Sequence, residues 1–533
     1  MSPAACNSVY FGRWAGGFFL RFRLRRNCVA VLAGLALTAC ALPPAESVDL
    51  TRAPAPSSRT ANVLLEDEQG PLTPERTAAA LRQLDPEGEN GLLAQHLRHV
   101  QESITEPVSL GNDARLLIDG PQTQREMLRA ISQARSNIDL ETYILEAEGM
   151  GERLAAILEA KRSKGVRARI LYDGVGSLST PDEFFDRLRS AGVEVCEFNP
   201  VTATRLKQDE RLSINNRDHR KLLIVDNKVA FTGGINISAV YSSSSFSRQK
   251  KAPTRESGWR DTHVLVRGPV VGQFNGLFDA MWQQQGCDEA QAGVQNNAES
   301  GSGVDRTGPL PVAAASERTA PGGRKNGAWP PSARKVGERR ARLAEKPERA
   351  GTMAIRLVAA DPASQRSEQY IALLSAMEHA RQRIWLTYGY FVPDKRVLQT
   401  LMDAARRGVD VRLMLPGFSD FWAPFHAGRS NYDDLLAAGV RLFERRDALL
   451  HAKTAVIDGV WSSVGSTNLD WRSFVHNYEA DVLILDRRFA GELEKLFMMD
   501  EGAAHEVDAR EWHERPVGTR LMEWFARRWA YYL

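Results

Sequence analysis

Two histidines, two lysines and two asparagines recur at matched spacing in this chain. His219, Lys221, Asp226, Gly233 and Asn236 follow the pattern H-x-K-x4-D-x6-G-[GS]-x-N, and His451, Lys453, Asp458, Gly465 and Asn468 repeat it 232 positions later. One copy is compatible with a strand end that happens to carry exposed His and Lys; two copies in register argue against that. The side chains suit a phosphodiester. Lys and Asn offset the charge of its non-bridging oxygens, one imidazole attacks phosphorus, and the other protonates the leaving oxygen.

The elements that must position these groups are short. Leu222 to Val225 and Thr454 to Ile457 are aliphatic and β-branched runs that read as buried strands. Residues i and i+2 share a strand face, so His219 points with Lys221 and His451 with Lys453. Asp458-Gly459 is a hairpin signal and Asp226-Asn227 a weaker one. Asp226 and Asp458 belong to the candidate catalytic set by pattern, yet read as residues that hold this turn. The strands that follow end in small residues, which allow close backbone approach to a ligand. Around each pattern strands alternate with helices. Ile138 to Leu145, Val166 to Tyr172 and Val193 to Phe198 are matched by Ile384 to Phe391 and Val409 to Leu415, with Gly165 and Gly192 echoed by Gly408 and Gly439. That alternation predicts an α/β fold with helices on the faces of a sheet.

The two patterns identify the chain as resembling the phospholipase D superfamily. Flanking segments such as RDHRKLLIVDNKVAFTGGINIS, GWRDTHVLVRGPVV and LLHAKTAVIDGVWSSVGSTNLDWRSFVHNYEA are similar to those of bacterial cardiolipin synthases, across about residues 113 to 515. The resemblance implies two homologous α/β sandwich repeats packed with the active site at their interface. It implies phosphatidyl transfer from phosphatidylglycerol through a phosphohistidine, with His219 as nucleophile and His451 as acid and base. Lys221, Lys453, Asn236 and Asn468 would hold the phosphate, so no metal or nucleotide cofactor is required. Asp261 and Glu479, downstream of each pattern, would orient the histidines. The alternatives are a phospholipase D that uses water as acceptor, and a nuclease of the same superfamily.

The ends of the chain bear on place. Arg13, Arg21, Arg23, Arg25 and Arg26 precede the apolar run Val29 to Leu37, which is too short to span a bilayer. The run ends Leu37-Thr38-Ala39-Cys40, similar to a bacterial lipoprotein cleavage site with Cys40 as the lipidated residue. An ordinary signal peptide or a marginal anchor helix is the other reading. Residues 1–39 carry five Arg and no acid, so their removal takes the formal charge from +3 to −2. A slightly acidic chain lacks the basic surface of a general nucleic-acid binder. Phospholipids and a membrane surface are the expected partners, in the cell envelope facing the periplasm.

The expected order is a signal segment 1–39, a Pro/Ala/Ser-rich tether 40–72, a helical lead-in 73–112 against the first repeat, and that repeat over 113–287. A disordered insertion 288–352 and a second repeat 353–510 follow. Residues 511–533 read as an amphipathic helix with Leu521, Trp524, Phe525, Trp529, Tyr532 and Leu533 interleaved with Arg520, Arg527 and Arg528. That helix suits a membrane interface and equally a docked terminal helix. Ser242 to Lys251 reads as a solvated loop beside the first site. Cys196 and Cys287 could pair in an oxidising compartment, but a buried thiol is the favoured state of Cys196. No CxxC or His/Cys cluster suggests a metal site.

Overall fold

The computed structural model describes residues 65–85, 87–88, 91–101, 103–200, 215–245, 258–288, 348–362 and 366–528. The signal segment, Cys40, most of the tether, loop residues 246–257, nearly all of the insertion, and Trp529, Tyr532 and Leu533 lie outside them.

Two helices, α1 (Pro74–Leu84) and α2 (Leu92–Val100), precede the first repeat. The repeat comprises β1 (Val108–Ile118), α3 (Asp119–Gln133), β2 (Asn137–Thr142), α4 (Met150–Arg162), β3 (Arg167–Asp173), α5 (Asp182–Ser190) and β4 (Glu194–Phe198). It closes with β5 (Lys221–Val225), β6 (Val229–Gly233), β7 (Thr262–Arg267) and α6 (Val271–Gln284). Its sheet runs β1-β7-β6-β5-β2-β3-β4, antiparallel except for the parallel pairs β2–β3 and β3–β4.

The second repeat opens with β8 (Met353–Asp361), α7 (Glu368–His379), β9 (Arg383–Tyr388), α8 (Lys395–Arg406) and β10 (Asp410–Pro416). It continues with α9 (Trp422–Arg429), α10 (Tyr432–Ala437), β11 (Arg441–Arg445), β12 (Lys453–Ile457), β13 (Trp461–Gly465), β14 (Asn477–Leu485) and α11 (Arg487–Glu501), and two short helices follow it, α12 (Ala509–His513) and α13 (Val517–Arg527). Its sheet order is β8-β14-β13-β12-β9-β10-β11, the same topology. Strands β1 and β8 also pair with each other, Met353 opposite Asn112 and Ile355 opposite Ser109.

The repeats share one core. Leu222, Ile224, Val264 and Val266 of the first sheet join Leu357, Val456, Val464 and Val482 of the second, with Phe274 and Phe278 of α6 and Phe489 and Phe497 of α11. Each such side chain contributes about 1.5–3 kcal/mol by leaving water. The two sheets, joined edge to edge through β1 and β8, thus bury apolar side chains in common, and the His-Lys ends of β5 and β12 meet at the seam. Helices α4 and α8 stop where Gly165 and Gly408 take φ of 83° and 90°, a conformation that a Cβ disfavours.

Four expectations need correction. The tether does not run to residue 72, because Leu65–Asp67 and Gly70–Pro71 form a hairpin that pairs with β1, Leu65 opposite Val108. The lead-in is not all helical, since β1 begins at Val108. Helix α2 packs on the second repeat rather than the first. Its His96 Nδ1 lies 3.2 Å from Ser375 Oγ, and Trp461 Nε1 donates to His96 Nε2 at 3.3 Å. Burial drives that imidazole's pKa down to about 3, so it is a neutral packing residue. Finally, Cys196 is not a free thiol. It sits under the end of α6 and forms a disulfide with Cys287, Cα to Cα 5.7 Å, closing 91 residues of chain.

Candidate active site

The hairpin after each His-Lys strand is a type I′ turn in both repeats. Asp226 and Asn227 take φ of 53° and 54°, and Asp458 and Gly459 take 51° and 66°. Asn227 reaches a left-handed conformation that Asn tolerates, so the weaker sequence signal makes the same turn. Both Asp carboxylates face away from the chemistry. Asp226 accepts the backbone N–H of Arg135, Ser136 and Asn137, and Asp458 those of Arg381, Gln382 and Arg383. These bonds fix the start of β2 and of β9. Asp226 and Asp458, although part of the pattern, thus lie at the strand's far end from the His-Lys pair and hold the turn, as their place before Asn227 and Gly459 predicts.

At the near end the repeats exchange partners. His219 Nδ1 lies 2.9 Å from both carboxylate oxygens of Glu479, and His451 Nδ1 lies 2.7 Å from Asp261 Oδ2. Each acid thus serves the histidine of the other repeat. The backbone does likewise. His219 N–H donates to Tyr478 O at 2.9 Å, and His451 N–H to Arg260 O at 2.8 Å, the residue before the acid in each case. Because Nδ1 carries the proton toward a carboxylate, Nε2 of each imidazole is left for a substrate.

Lys221 and Lys453 are buried beside their histidines, and each ammonium donates to the carbonyl of its own His. Burial lowers Lys221 to about 7 and Lys453 to about 8, and the Lys453 charge further depresses Lys221. His219 is held well below the usual imidazole value by burial and then by the charges of Lys221, Lys453 and His451. His451 is lowered by burial and by Lys453, with Asp261 opposing. The acids differ. Burial pushes Glu479 up to about 7, whereas for Asp261 burial is outweighed by the His451 and Lys453 charges and its pKa is lowered. Asp261 is the better support for a cationic partner.

The small residues at these strand ends make room for buried carboxylates, those of Asp261 and Asp481. A Cβ on Gly234 would stand 2.1 Å from Asp261 Oδ1, and one on Gly465 would stand 1.9 Å from Asp481 Oδ1. Ser466, the counterpart of Gly234, donates its hydroxyl to Glu479. Asn236 Oδ1 accepts the Ile144 N–H at 3.3 Å, and the Asn468 N–H donates to Ser473 Oγ at 3.2 Å. Asn468 Oδ1 and Trp259 Nε1 are buried without a hydrogen-bond partner among the described residues, one acceptor and one donor open to a bound molecule.

Several flanking groups escaped the sequence reading. The rings of Tyr143 and Trp259 each stand 5.1 Å from one histidine, His219 and His451 respectively. Tyr241 Oη lies 3.2 Å from His451 Nδ1, and Tyr390 packs edge-on to His451 while donating to Asp420 at 2.7 Å. Arg472 opens a turn of π-helix, donates to Asn215 Oδ1 at 3.3 Å, and adds to the charge that depresses His219. Asp119, with φ of 60°, accepts the N–H of Asp261 and that of Ser245, tying down the described start of the serine loop. No spacing rule links these residues to the patterns; only Trp259, next but one before Asp261, carried a local hint.

Comparison with known proteins agrees with this geometry. The family model described as cardiolipin synthase, PLD-like domain matches residues 127–282 and 373–500, so each His-Lys strand falls in one matched segment. The chain belongs to this family. A cardiolipin synthase of Geobacillus kaustophilus is 31% identical over 423 residues, covering 79% of this chain and 72% of that protein. Cardiolipin synthase A of Pseudomonas fluorescens is 31% identical over 410 residues, covering 76% and 72%. The crystal structure of phosphatidylserine synthase from Haemophilus influenzae superposes with a TM-score of 0.51 at 14% identity, over 78% of this chain and 93% of that one, and shows the shared fold. Among the described residues no group of three His, Cys, Asp or Glu side chains is placed to hold a metal ion.

Proposed function

We propose that the protein is a phosphatidyltransferase that makes cardiolipin and glycerol from two molecules of phosphatidylglycerol. The observation that carries this is the reciprocal pairing of two buried His-acid couples with unequal electrostatics in one lysine-lined site, in a chain whose family is that of cardiolipin synthases. In the first step His219 Nε2 attacks phosphorus, the bond to the glycerol oxygen breaks, and His451 Nε2 gives that oxygen its proton. In the second, His451 takes the proton of a headgroup hydroxyl on another phosphatidylglycerol. That oxygen attacks the phosphohistidine, the P–N bond breaks, and cardiolipin leaves. The deeper depression of His219 favours a neutral nucleophile, and ionised Asp261 favours a histidine that can turn cationic. Lys221, Lys453, Asn236 and Asn468 hold the phosphate oxygens.

We place the enzyme at the cell envelope, anchored through lipid on Cys40 and facing the periplasm. The Cys196–Cys287 disulfide supports an oxidising compartment. No helix among the described residues is long and apolar enough to cross a membrane. A protein held at a membrane meets acceptor lipids in two dimensions, which favours a headgroup over water. The test is lipid analysis of purified protein incubated with phosphatidylglycerol vesicles. Equimolar cardiolipin and glycerol are expected; phosphatidic acid without cardiolipin identifies a hydrolase and refutes transfer. Cys40→Ala should prevent acylation, read by mass spectrometry and fractionation.

A further inference from the structure

Large apolar side chains exposed to solvent are not scattered over this molecule. Apart from Met498 and Met499, those among the described residues fall in three places: the loop after β3, the loop and helix start after β10, and α13 (Val517–Arg527). Such clustering marks an interaction surface, because single exposed apolar residues are ordinary and a contiguous patch is not.

Helix α13 is inside out for a docked terminal helix. The side chains it buries are Ala526, against Ala427 of α9 and Val392, and Glu523, which pairs with Arg515 at 3.0 Å. Its apolar stripe, Leu521, Trp524 and Phe525 at helical spacing, faces water, with Trp524 54% exposed. Arg520, Arg527 and Arg528 border the stripe and are exposed, and the Arg528 guanidinium lies 4.8 Å from the Trp524 ring. Packing on the protein core does not explain this orientation, since the core receives the small and the acidic residue.

The other two places flank the active site. Strands β3 and β10 hold the same position in the two sheets, so the loops after them are counterparts. The first carries Leu178, 77% exposed, next to Ser177, whose hydroxyl lies 3.2 Å from the Tyr143 carbonyl; Tyr143 packs on His219. The second carries Phe421, 57% exposed, and Trp422, directly after Asp420, which accepts from the Tyr390 that packs on His451. Helix α9, begun by Trp422, is the one on which α13 lies.

From this arrangement we propose that Phe421, Trp422 and the outer stripe of α13 form a docking surface for an anionic phospholipid bilayer, with Leu178 as the opposing lip of the site. The aromatic residues enter the headgroup boundary while Arg520, Arg527 and Arg528 meet lipid phosphates. The site mouth then opens on the membrane, and a headgroup reaches the histidines without its acyl chains crossing water. The proposal rests on the phospholipid substrate named above and adds which face meets the lipid.

The full-length protein tests it by hydrogen exchange with and without phosphatidylglycerol vesicles. Peptides covering 417–429 and 515–528 should exchange at least several-fold more slowly with vesicles, and the α11 end bearing Met498 and Met499 should not change. Exchange unchanged in both segments while the vesicle lipid is turned over overturns the proposal. A second reading uses Leu521→Ser with Trp524→Ser. The pair should lower turnover of vesicle phosphatidylglycerol more than tenfold and leave turnover of monomeric short-chain phosphatidylglycerol within twofold. Equal rates on both, or a wild-type dimer that the pair dissociates with vesicle turnover intact, would assign the stripe to a second copy of the chain instead. If neither lipid is turned over by the wild type, the functional reading fails, while vesicle protection still decides the docking surface.

Discussion

Asp261→Asn removes a charge and keeps a shape. The carboxylate lies 2.7 Å from His451 Nδ1 and raises that imidazole's pKa against the burial that lowers it. An opposite charge at such range shifts a pKa by about 1–3 units, each worth 1.36 kcal/mol. Loss of about 1.4–4 kcal/mol of support for the imidazolium corresponds to a drop of roughly 10- to 1,000-fold in a step that needs His451 as acid. With phosphatidylglycerol that step is glycerol departure, so kcat should fall by that factor. The alkaline limb of the pH profile, which reports loss of the acid, should move to lower pH. A p-nitrophenyl phosphodiester needs no proton on its leaving group. Its burst of nitrophenolate should therefore slow less than about tenfold. Glu479→Gln acts on the nucleophile instead and should slow the burst and phosphatidylglycerol turnover alike. Equal losses on both substrates for Asp261→Asn would refute the assignment of His451 as acid, and a selective loss with Glu479→Gln in its place would reverse the two roles.

Gly234→Ala should imitate Asp261→Asn in substrate selectivity, because the new methyl displaces the Asp261 carboxylate; a variant with wild-type kinetics would show that this carboxylate has room to spare. Asp226→Ala removes the acceptor for three backbone N–H groups and should cost about 2 kcal/mol in a urea titration, with kcat per folded molecule within about twofold. A large fall in kcat with stability unchanged would return Asp226 to the site. Inhibition by inorganic phosphate should weaken as pH rises through 7 to 8, where Lys221 (about 7) and Lys453 (about 8) lose their charge, and calorimetry should detect proton uptake on binding in that window. Affinity independent of pH from 6.5 to about 9 would mean that neither lysine holds the anion. Cys287→Ala should lower stability by up to about 4.6 kcal/mol for a loop of this length; non-reducing peptide mapping that finds both thiols free would remove the basis for it.

The sequence alone determined what depends on near neighbours. A two-residue strand period puts His219 with Lys221 and His451 with Lys453, and the same period in two copies gave both halves of the site. The helix-ending Gly165 and Gly408 and the turns at Asp226 and Asp458 follow from local backbone preferences. Partner choice across the seam is different. Sequence order places Asp261 nearer His219 and Glu479 nearer His451, yet the acids cross over, to partners 190 and 260 residues away. Nothing local encodes that exchange, because it is made by two repeats that share one apolar core as a pseudo-symmetric pair. The same packing carried α2 onto the second repeat, brought Cys287 over Cys196, and turned α13 so that Ala526 and Glu523 face inward. A helical period says which residues share a stripe, and only the surface against which the helix lies decides whether that stripe meets protein or water.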